Sequence, residues 1–356
     1  MKKPLIAFSI LFALVSSSIF NSCKNEEKSK LLDSASVIPA KDTQNLSLVN
    51  KPGFVPSIID TTSKTPIAET GIYKSEDNTY HLRYILEKGK VYPFNTRETN
   101  TQTLTIRGES QTISMESKEP LSFTVLDIKD GKYVLQVHMG GKKVITKADG
   151  QQSVFDTNGQ KPSNPDQAKM WKIYKAISNI TFTMNMDIYG NVSNINGLDA
   201  VYSKAKSALT GDLKGKELDD FVQAFKKGFN AEIFKAQFES SIMKFPSQGL
   251  KIGEKWNNNP SMKGKGYNEL VKVDENYAEV KLQGNIPSQS ESKVLEGVTY
   301  KISVKGFQNG KVTIDTKSGW ITKGVFTVSV TETRSAKKGE ESEQAVQKTV
   351  NNTYIN

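Results

Sequence analysis

Cysteine and histidine are almost missing from this sequence: one Cys and two His in 356 residues. A lone thiol cannot form an internal disulfide, so the chain is not a crosslinked scaffold. His81 and His138 have no His or Cys neighbour at a ligating spacing, and each lies in a segment expected to be a strand, as a surface or packed side chain. There is no Gly-x-Ser-x-Gly elbow, no phosphate loop and no dinucleotide fingerprint. The stretch Asp187-Ile188-Tyr189-Gly190-Asn191 lacks the ligand spacing and closing glutamate of a calcium loop and is expected to be a turn. Asp219-Asp220 and Glu340-Glu341 are neighbours in sequence, so their carboxylates diverge instead of facing each other across a cleft, as glycoside hydrolysis requires. With these chemistries removed, no metal or cofactor is expected, and the chain is expected not to be an enzyme.

Long apolar runs are also lacking. The longest, Leu5 to Val15, follows Lys2 and Lys3 and precedes Ser16, Ser17 and Ser18. It is short of the roughly 20 residues a bilayer span needs and has the parts of a secretory signal, so residues 1–22 are expected to be a cleaved signal peptide. The segment ends Phe20-Asn21-Ser22-Cys23, which resembles the lipobox of bacterial lipoproteins, and Cys23 is the only cysteine. The resemblance implies lipidation at Cys23 by diacylglycerol and a further acyl chain, and more than one chain suffices for permanent anchoring. Lys24, Glu26 and Glu27 resemble the export tag that Bacteroidetes-type lipoproteins use to reach the outer face of the cell. The expected location is therefore the outer membrane, with the domain exposed at the cell surface.

Residues 23–70 have no sustained period and are interrupted by Pro39, Pro52, Pro56 and Pro66, the composition of a flexible stalk. A flexible chain of that length spans about 35–40 Å on average. Of the formal charge of +10, Lys2 and Lys3 contribute two units, and the other basic residues are scattered instead of striped. That spread excludes nucleic acid as a partner, and the partners left are the outer membrane, through the lipid, and a hydrophobic ligand or a glycan.

The remainder, 71–356, is expected to be one ectodomain that is β-rich over 80–155, mainly helical over 164–243 and β-rich again over 250–355. Tyr80, Leu82 and Tyr84 alternate, and Asp130-Gly131 between two alternating runs signals a hairpin. Asn164, Pro165 and Asp166 supply an N-cap, a first-turn proline and a first-turn acid. Two more helices are expected near Leu198 to Leu209 and Lys216 to Met243; the second carries Leu218, Phe221, Val222, Phe225, Phe229 and Ile233 as one apolar stripe. In the last block Asn309-Gly310 and Ser318-Gly319 are expected turns, Ala336 to Glu343 a loose segment and Val350 to Ile355 a closing strand. Leu86 to Tyr92 and Leu250 to Trp256 share the pattern Leu-x-x-Gly-x-x-aromatic, which suggests two related sheets flanking a helical insert. The fold class expected is α+β, with an antiparallel, curved β-sheet or sheets packed against a central helical segment.

The Lys88-Gly89-Lys90 turn, the stretch Asp187 to Gly197, Gly253 to Trp256 and Gly310 to Gly319 recur in this order in a family of uncharacterised Bacteroidetes outer-membrane lipoproteins, which the chain resembles over Tyr80 to Ile355. The hairpin Ile314 to Trp320 is also similar to one in the lipoprotein-carrier half-barrels, whose curved sheet wraps around helices to hold acyl chains. That likeness implies a ligand cavity lined by Phe221, Phe225 and Phe229. Two functions follow as expectations. One is a non-enzymatic binding or envelope-structural role on the membrane surface; the other is a carrier or sensor of a hydrophobic ligand.

Overall fold

The computed structural model describes residues 70–257, 265–295 and 297–356. Its strands are β1 (Ile72–Lys74), β2 (Tyr80–Leu82), β3 (Val91–Ile106), β4 (Glu109–Lys129), β5 (Lys132–Met139), β6 (Lys143–Ala148), β7 (Gln151–Asp156), β8 (Thr181–Asp187), β9 (Val192–Asn196), β10 (Lys255–Trp256), β11 (Lys265–Val273), β12 (Tyr277–Leu295), β13 (Val298–Asp315), β14 (Ile321–Lys338) and β15 (Glu341–Ile355). Four helices, α1 (Pro165–Ile177), α2 (Leu198–Leu209), α3 (Lys216–Gly228) and α4 (Ala231–Ser241), complete the described elements. None of the described helices is long and apolar enough to cross a membrane.

The expected α+β class is overturned. Strand accounts for 56% and helix for 17% of the structure, and thirteen strands form one antiparallel sheet in the order β10-β11-β12-β13-β14-β15-β3-β4-β5-β8-β9, with β6 and β7 branching from β4. Nor do the two β-rich blocks form separate sheets: β15 pairs with β3 from Ile355↔Thr96 to Ala345↔Ile106 and joins them edge to edge, while β1 and β2 form a small two-stranded sheet of their own. The helices are an appendage on one face, not a central layer. The physical reason is strand length. β12, β13 and β14 run 19, 18 and 18 residues, well past the ends expected from apolar alternation, because Ser, Thr, Asn and Lys continue the pairing where apolar residues stop.

Local chemistry explains the turns. Asp130-Gly131 and Arg107-Gly108 both take positive φ at both positions, the geometry of a tight hairpin turn whose twist matches its strands. Asn309-Gly310, an expected turn, lies inside β13 instead, with Asn309 opposite Thr327 and Gly310 opposite Phe326. A Cβ on Gly310 would come 3.0 Å from Cδ1 of Phe326, so the ring lies over the bare backbone and fills the gap a glycine leaves in a sheet. The Ala336 to Glu343 segment is not loose; it is the end of β14, a turn at Gly339 and the start of β15. The expected long helix is broken by Asn230. Its side-chain oxygen accepts from the Ile233 N–H at 3.0 Å while its amide donates to the Lys227 carbonyl at 3.0 Å, so one residue caps both α3 and α4. The repeated Leu-x-x-Gly-x-x-aromatic motif has the same local structure twice. Gly89 and Gly253 both have positive φ, and their N–H groups donate to Val125 at 2.8 Å and Leu270 at 2.7 Å.

The core lies between the four helices and one end of the sheet. It takes Tyr92 and Phe94 from β3, Leu121, Phe123 and Val125 from β4, Val312 and Ile314 from β13, and Ile355 from β15. Trp320 closes it, donating from its indole to the Pro93 carbonyl at 2.9 Å. Farther along the same strands the only other buried apolar cluster among the described residues is Val298, Tyr300 and Ala336. The sheet therefore has a covered half, against the helices, and a bare half with no helix over it.

Candidate functional site

Three arrangements stand out: an aromatic ladder, a buried ion pair in a fork of the sheet, and a polar outer face. The ladder contains the expected cavity-lining residues. Phe221, half-buried, stacks on Phe225 at 6.0 Å, and Phe225 on Phe229 at 5.9 Å. Beyond the Asn230 break, Phe229 meets Phe234 at 6.5 Å, Phe234 stacks on Phe238 at 6.2 Å, and Phe238 packs on Phe123 of the sheet at 4.8 Å. The stripe thus continues ring on ring into the core, and Phe225 and Phe229 are buried within it.

The fork lies on β4. Its C-terminal part pairs with β5 and its N-terminal part with β6, while β3 runs along the whole opposite edge. Lys142 lies at the branch, only 2% exposed, with its ammonium 3.4 Å from the Glu119 carboxylate, itself 5% exposed. The same ammonium lies 4.9 Å from the ring centre of Tyr174 on α1. Its backbone N–H donates to Thr157 Oγ1 at 2.8 Å, and the Thr157 N–H donates back to the Lys142 carbonyl at 2.9 Å. Burial by itself would lower the Lys142 pKa, but the Glu119 carboxylate beside it, with Tyr174 and Glu98, holds it above the usual lysine range. Burial is also the main influence on Glu119, whose pKa lies above the ordinary carboxylate value despite the lysine. Sealed from solvent, the pair fixes the two branches of the sheet and the first helix in one register; it presents nothing to a substrate.

The outer face of the sheet, opposite the helices, is open. The cross-strand registers place Tyr267, Gln283, Asn309, Thr327, Asn352 and Thr99 in one line over six adjacent strands. One step toward the covered half lies a second line that runs Glu269, Lys281, Lys311, Val325, Tyr354, Arg97 and Lys118. Toward the bare tip lie Phe307 and Ser329, and then Lys305, Thr331, Lys348 and Thr103. Hydroxyls along these lines already pair across strands: Thr103 with Thr112 at 3.1 Å, Thr105 with Ser110 at 2.8 Å, and Thr327 donating to Asn352 at 2.8 Å.

Cys23, Lys24, Glu26 and Glu27, together with the signal peptide and nearly all of the stalk, lie outside the described residues. His81 stacks on Tyr73 at 5.1 Å, and His138 lies half-buried in β5 between Ser122 and Thr181. Asp219 and Asp220 turn to different lysines, Lys206 at 3.5 Å and Lys216 at 3.3 Å. Asp187 accepts from the backbone N–H groups of Tyr189 and Asn191, both at 2.9 Å, and so closes its own turn. Among the described residues no three His, Cys, Asp or Glu side chains gather to hold a metal ion. Neither the Lys142–Glu119 pair nor the outer face was anticipated. The face did have a signal, the run Thr99-x-Thr101-x-Thr103-x-Thr105, which alternates β-branched residues at strand period without being apolar.

Residues 130–321, from the β4–β5 turn through the helices to the start of β14, match the model of a family described as "Family of unknown function (DUF6263)". The chain belongs to this family. No curated protein matches it. Among solved structures, a porin mutant from Rh. blastica is 9% identical, covering 74% of this chain and 100% of the porin with a TM-score of 0.16. The Pseudomonas aeruginosa protein OccK11 (OpdR) is 8% identical, covering 76% and 98% with a TM-score of 0.14. At such scores neither bears on the fold or function of this family member.

Proposed function

We propose that the chain is a lipid-anchored outer-membrane protein, exposed at the cell surface, with a non-enzymatic binding or envelope-structural role. The observation that supports the binding part is the bare half of the sheet. Long strands carried past their core leave a broad polar surface, whereas catalysis needs reactive groups converging in a pocket. The most deeply buried charged groups, Lys142 and Glu119, face each other as an ion pair at 3.4 Å away from solvent. A panel of glycans, peptides and esters tests the non-enzymatic part; turnover that disappears on a single substitution would overturn it. The anchoring part rests on Cys23 and its neighbours. Cys23→Ala should leave the precursor uncleaved and unlipidated, and replacing Glu26 and Glu27 by alanine should keep the lipid but withdraw the domain from proteases added to intact cells. A carrier role would need the Phe221, Phe225 and Phe229 rings to face a void, and their stacking favours the outer surface over the interior as the place where a partner docks.

A further inference from the structure

We propose that the outer face binds an extended acidic polysaccharide, a chain of pyranose rings bearing carboxylate or sulfate groups, laid across the strands along the line from Tyr267 to Thr99. This rests on the binding-protein reading and names the ligand class and its site.

The line carries one polar side chain per strand over six strands, about 24 Å at the usual strand spacing. Asn309 offers an amide that both donates and accepts, Gln283 keeps its amide N–H groups while its oxygen accepts from Tyr267 at 2.6 Å, Thr327 donates to Asn352 at 2.8 Å and can still accept, and Thr99 accepts from the Asn352 amide at 3.4 Å and can still donate, so the row retains donors and acceptors for sugar hydroxyls. Successive lines on this face lie about 7 Å apart, two residues along a strand. Cations therefore flank the neutral line on both sides. On the covered side Lys311 is 2.8 Å from Glu279 and Lys118 is 3.4 Å from Glu116, while the Arg97 guanidinium lies 4.5 Å from the Tyr354 ring centre. On the tip side Lys305 and Lys348 are exposed and form no ion pair among the described residues.

Between the neutral line and those lysines stands Phe307, 45% exposed. Its flat apolar ring, set among hydroxyls, suits the carbon-bound face of a pyranose. A bilayer fits worse. Surface insertion calls for a continuous apolar strip, and here Phe307 is flanked by Asn285 and Ser329 across the strands. A linear polyanion matches the long axis, the neutral middle and the charged margins together, and the excess of lysine would raise its local concentration in a salt-dependent way.

The test uses the mature chain, residues 23–356 carrying Cys23→Ala and made without the signal segment, so that neither lipid nor signal sequence contributes, titrated with polygalacturonate, with neutral dextran and with phosphatidylglycerol vesicles. Polygalacturonate should bind at low salt and weaken as salt rises, and dextran should not bind. Lys305→Glu with Lys348→Glu should lower the affinity about tenfold or more, and Phe307→Ala or Asn309→Ala several-fold, the range for single contacts at a recognition surface. All four side chains are exposed, so the circular dichroism spectrum and melting temperature should not change. Unchanged affinity in the charge-reversed and Phe307→Ala variants would overturn the proposal. So would equal binding to dextran, or vesicle binding that these same substitutions abolish. If polygalacturonate fails while the chain still sediments with whole envelope fragments, this ligand is wrong and the broader binding role stands; if both fail, the broader role falls too.

Discussion

From Tyr92 to Glu98 every second residue of β3 is buried; from Thr99 to Ile106, in the same strand and the same sheet, none is. β4 repeats the contrast in reverse, with nothing buried from Glu109 to Glu116 and Ser117, Glu119, Leu121, Phe123 and Val125 buried thereafter. One half of the sheet is held by side-chain packing against helices, the other by backbone pairing and cross-strand side-chain contacts. The two halves should therefore answer differently to the same kind of substitution.

The largest effect is expected in the covered half. Phe238, which bridges the helical ladder to Phe123 at 4.8 Å, should cost about 3–5 kcal/mol when replaced by alanine, read as a lower urea midpoint. Lys142→Met should be about as harmful, roughly 3–5 kcal/mol, because it leaves the Glu119 charge buried without its partner. Adding Glu119→Leu should recover most of that loss in a double-mutant cycle. If the double variant is no better than Lys142→Met, the fork is held by something other than this pair.

Glu239 sharpens the contrast at intermediate scale. Its carboxylate accepts from Lys235 at 2.7 Å, Lys244 at 2.7 Å and the Val192 N–H at 2.8 Å, and so ties α4 to β9. Burial raises its pKa, but the two ammonium groups and the N–H outweigh this and hold it below the ordinary carboxylate value of 4.5. A depressed pKa contributes stability above the unfolded value and loses it as pH falls through the folded one. Wild-type stability should therefore decline from about pH 4.5 downward, and Glu239→Gln, weaker by about 1–3 kcal/mol at neutral pH, should show a flatter profile. The smallest effect is expected in the bare half, where Thr331→Ala and Thr103→Ala should stay within about 0.5 kcal/mol. A large loss there would mean that the hydroxyl lines stabilise the sheet instead of forming a surface.

The same division explains which parts of the fold were legible in the sequence. The features that could be read are local. The Asn164 cap accepts from Asp166 and Gln167 ahead of α1, α2 runs from Leu198 to Leu209 as expected, and Asp130-Gly131 closes a hairpin. In the covered half one face is apolar and the other polar, so alternation reveals the strands. In the bare half the apolar alternation is thin, with Val298, Tyr300 and Ala336 as its one small cluster among the described residues, and Ser, Thr and Lys written in strand period look like loop. That is why Ala336 to Glu343 passed for a loose segment, why a turn was expected at Asn309-Gly310 in the middle of β13, and why the class was taken for α+β. Asn309-Gly310 is overridden by strands on both sides, which no local signal reports. Of the candidate site, the phenylalanine stripe was visible from its helical spacing, but its continuation through Phe234 and Phe238 into the sheet depends on the Asn230 kink. The Lys142–Glu119 pair joins residues 23 positions apart through a branch in the sheet and has no local mark.

The pairing of β15 with β3 brings Ile355 opposite Thr96 in the middle of the sheet. The other adjacent pairs from β11 to β15 and from β3 to β5 are consecutive in sequence and can form as soon as both strands exist; this one must close a loop of some 250 residues, and its contacts come last. Until then the chain is two separate meanders with open edges. During that interval β3 keeps one edge unpaired, because its neighbour there is the last strand of the sequence. The open edges also set the risk at that stage, since a strand waiting for a distant partner is the one another copy can capture.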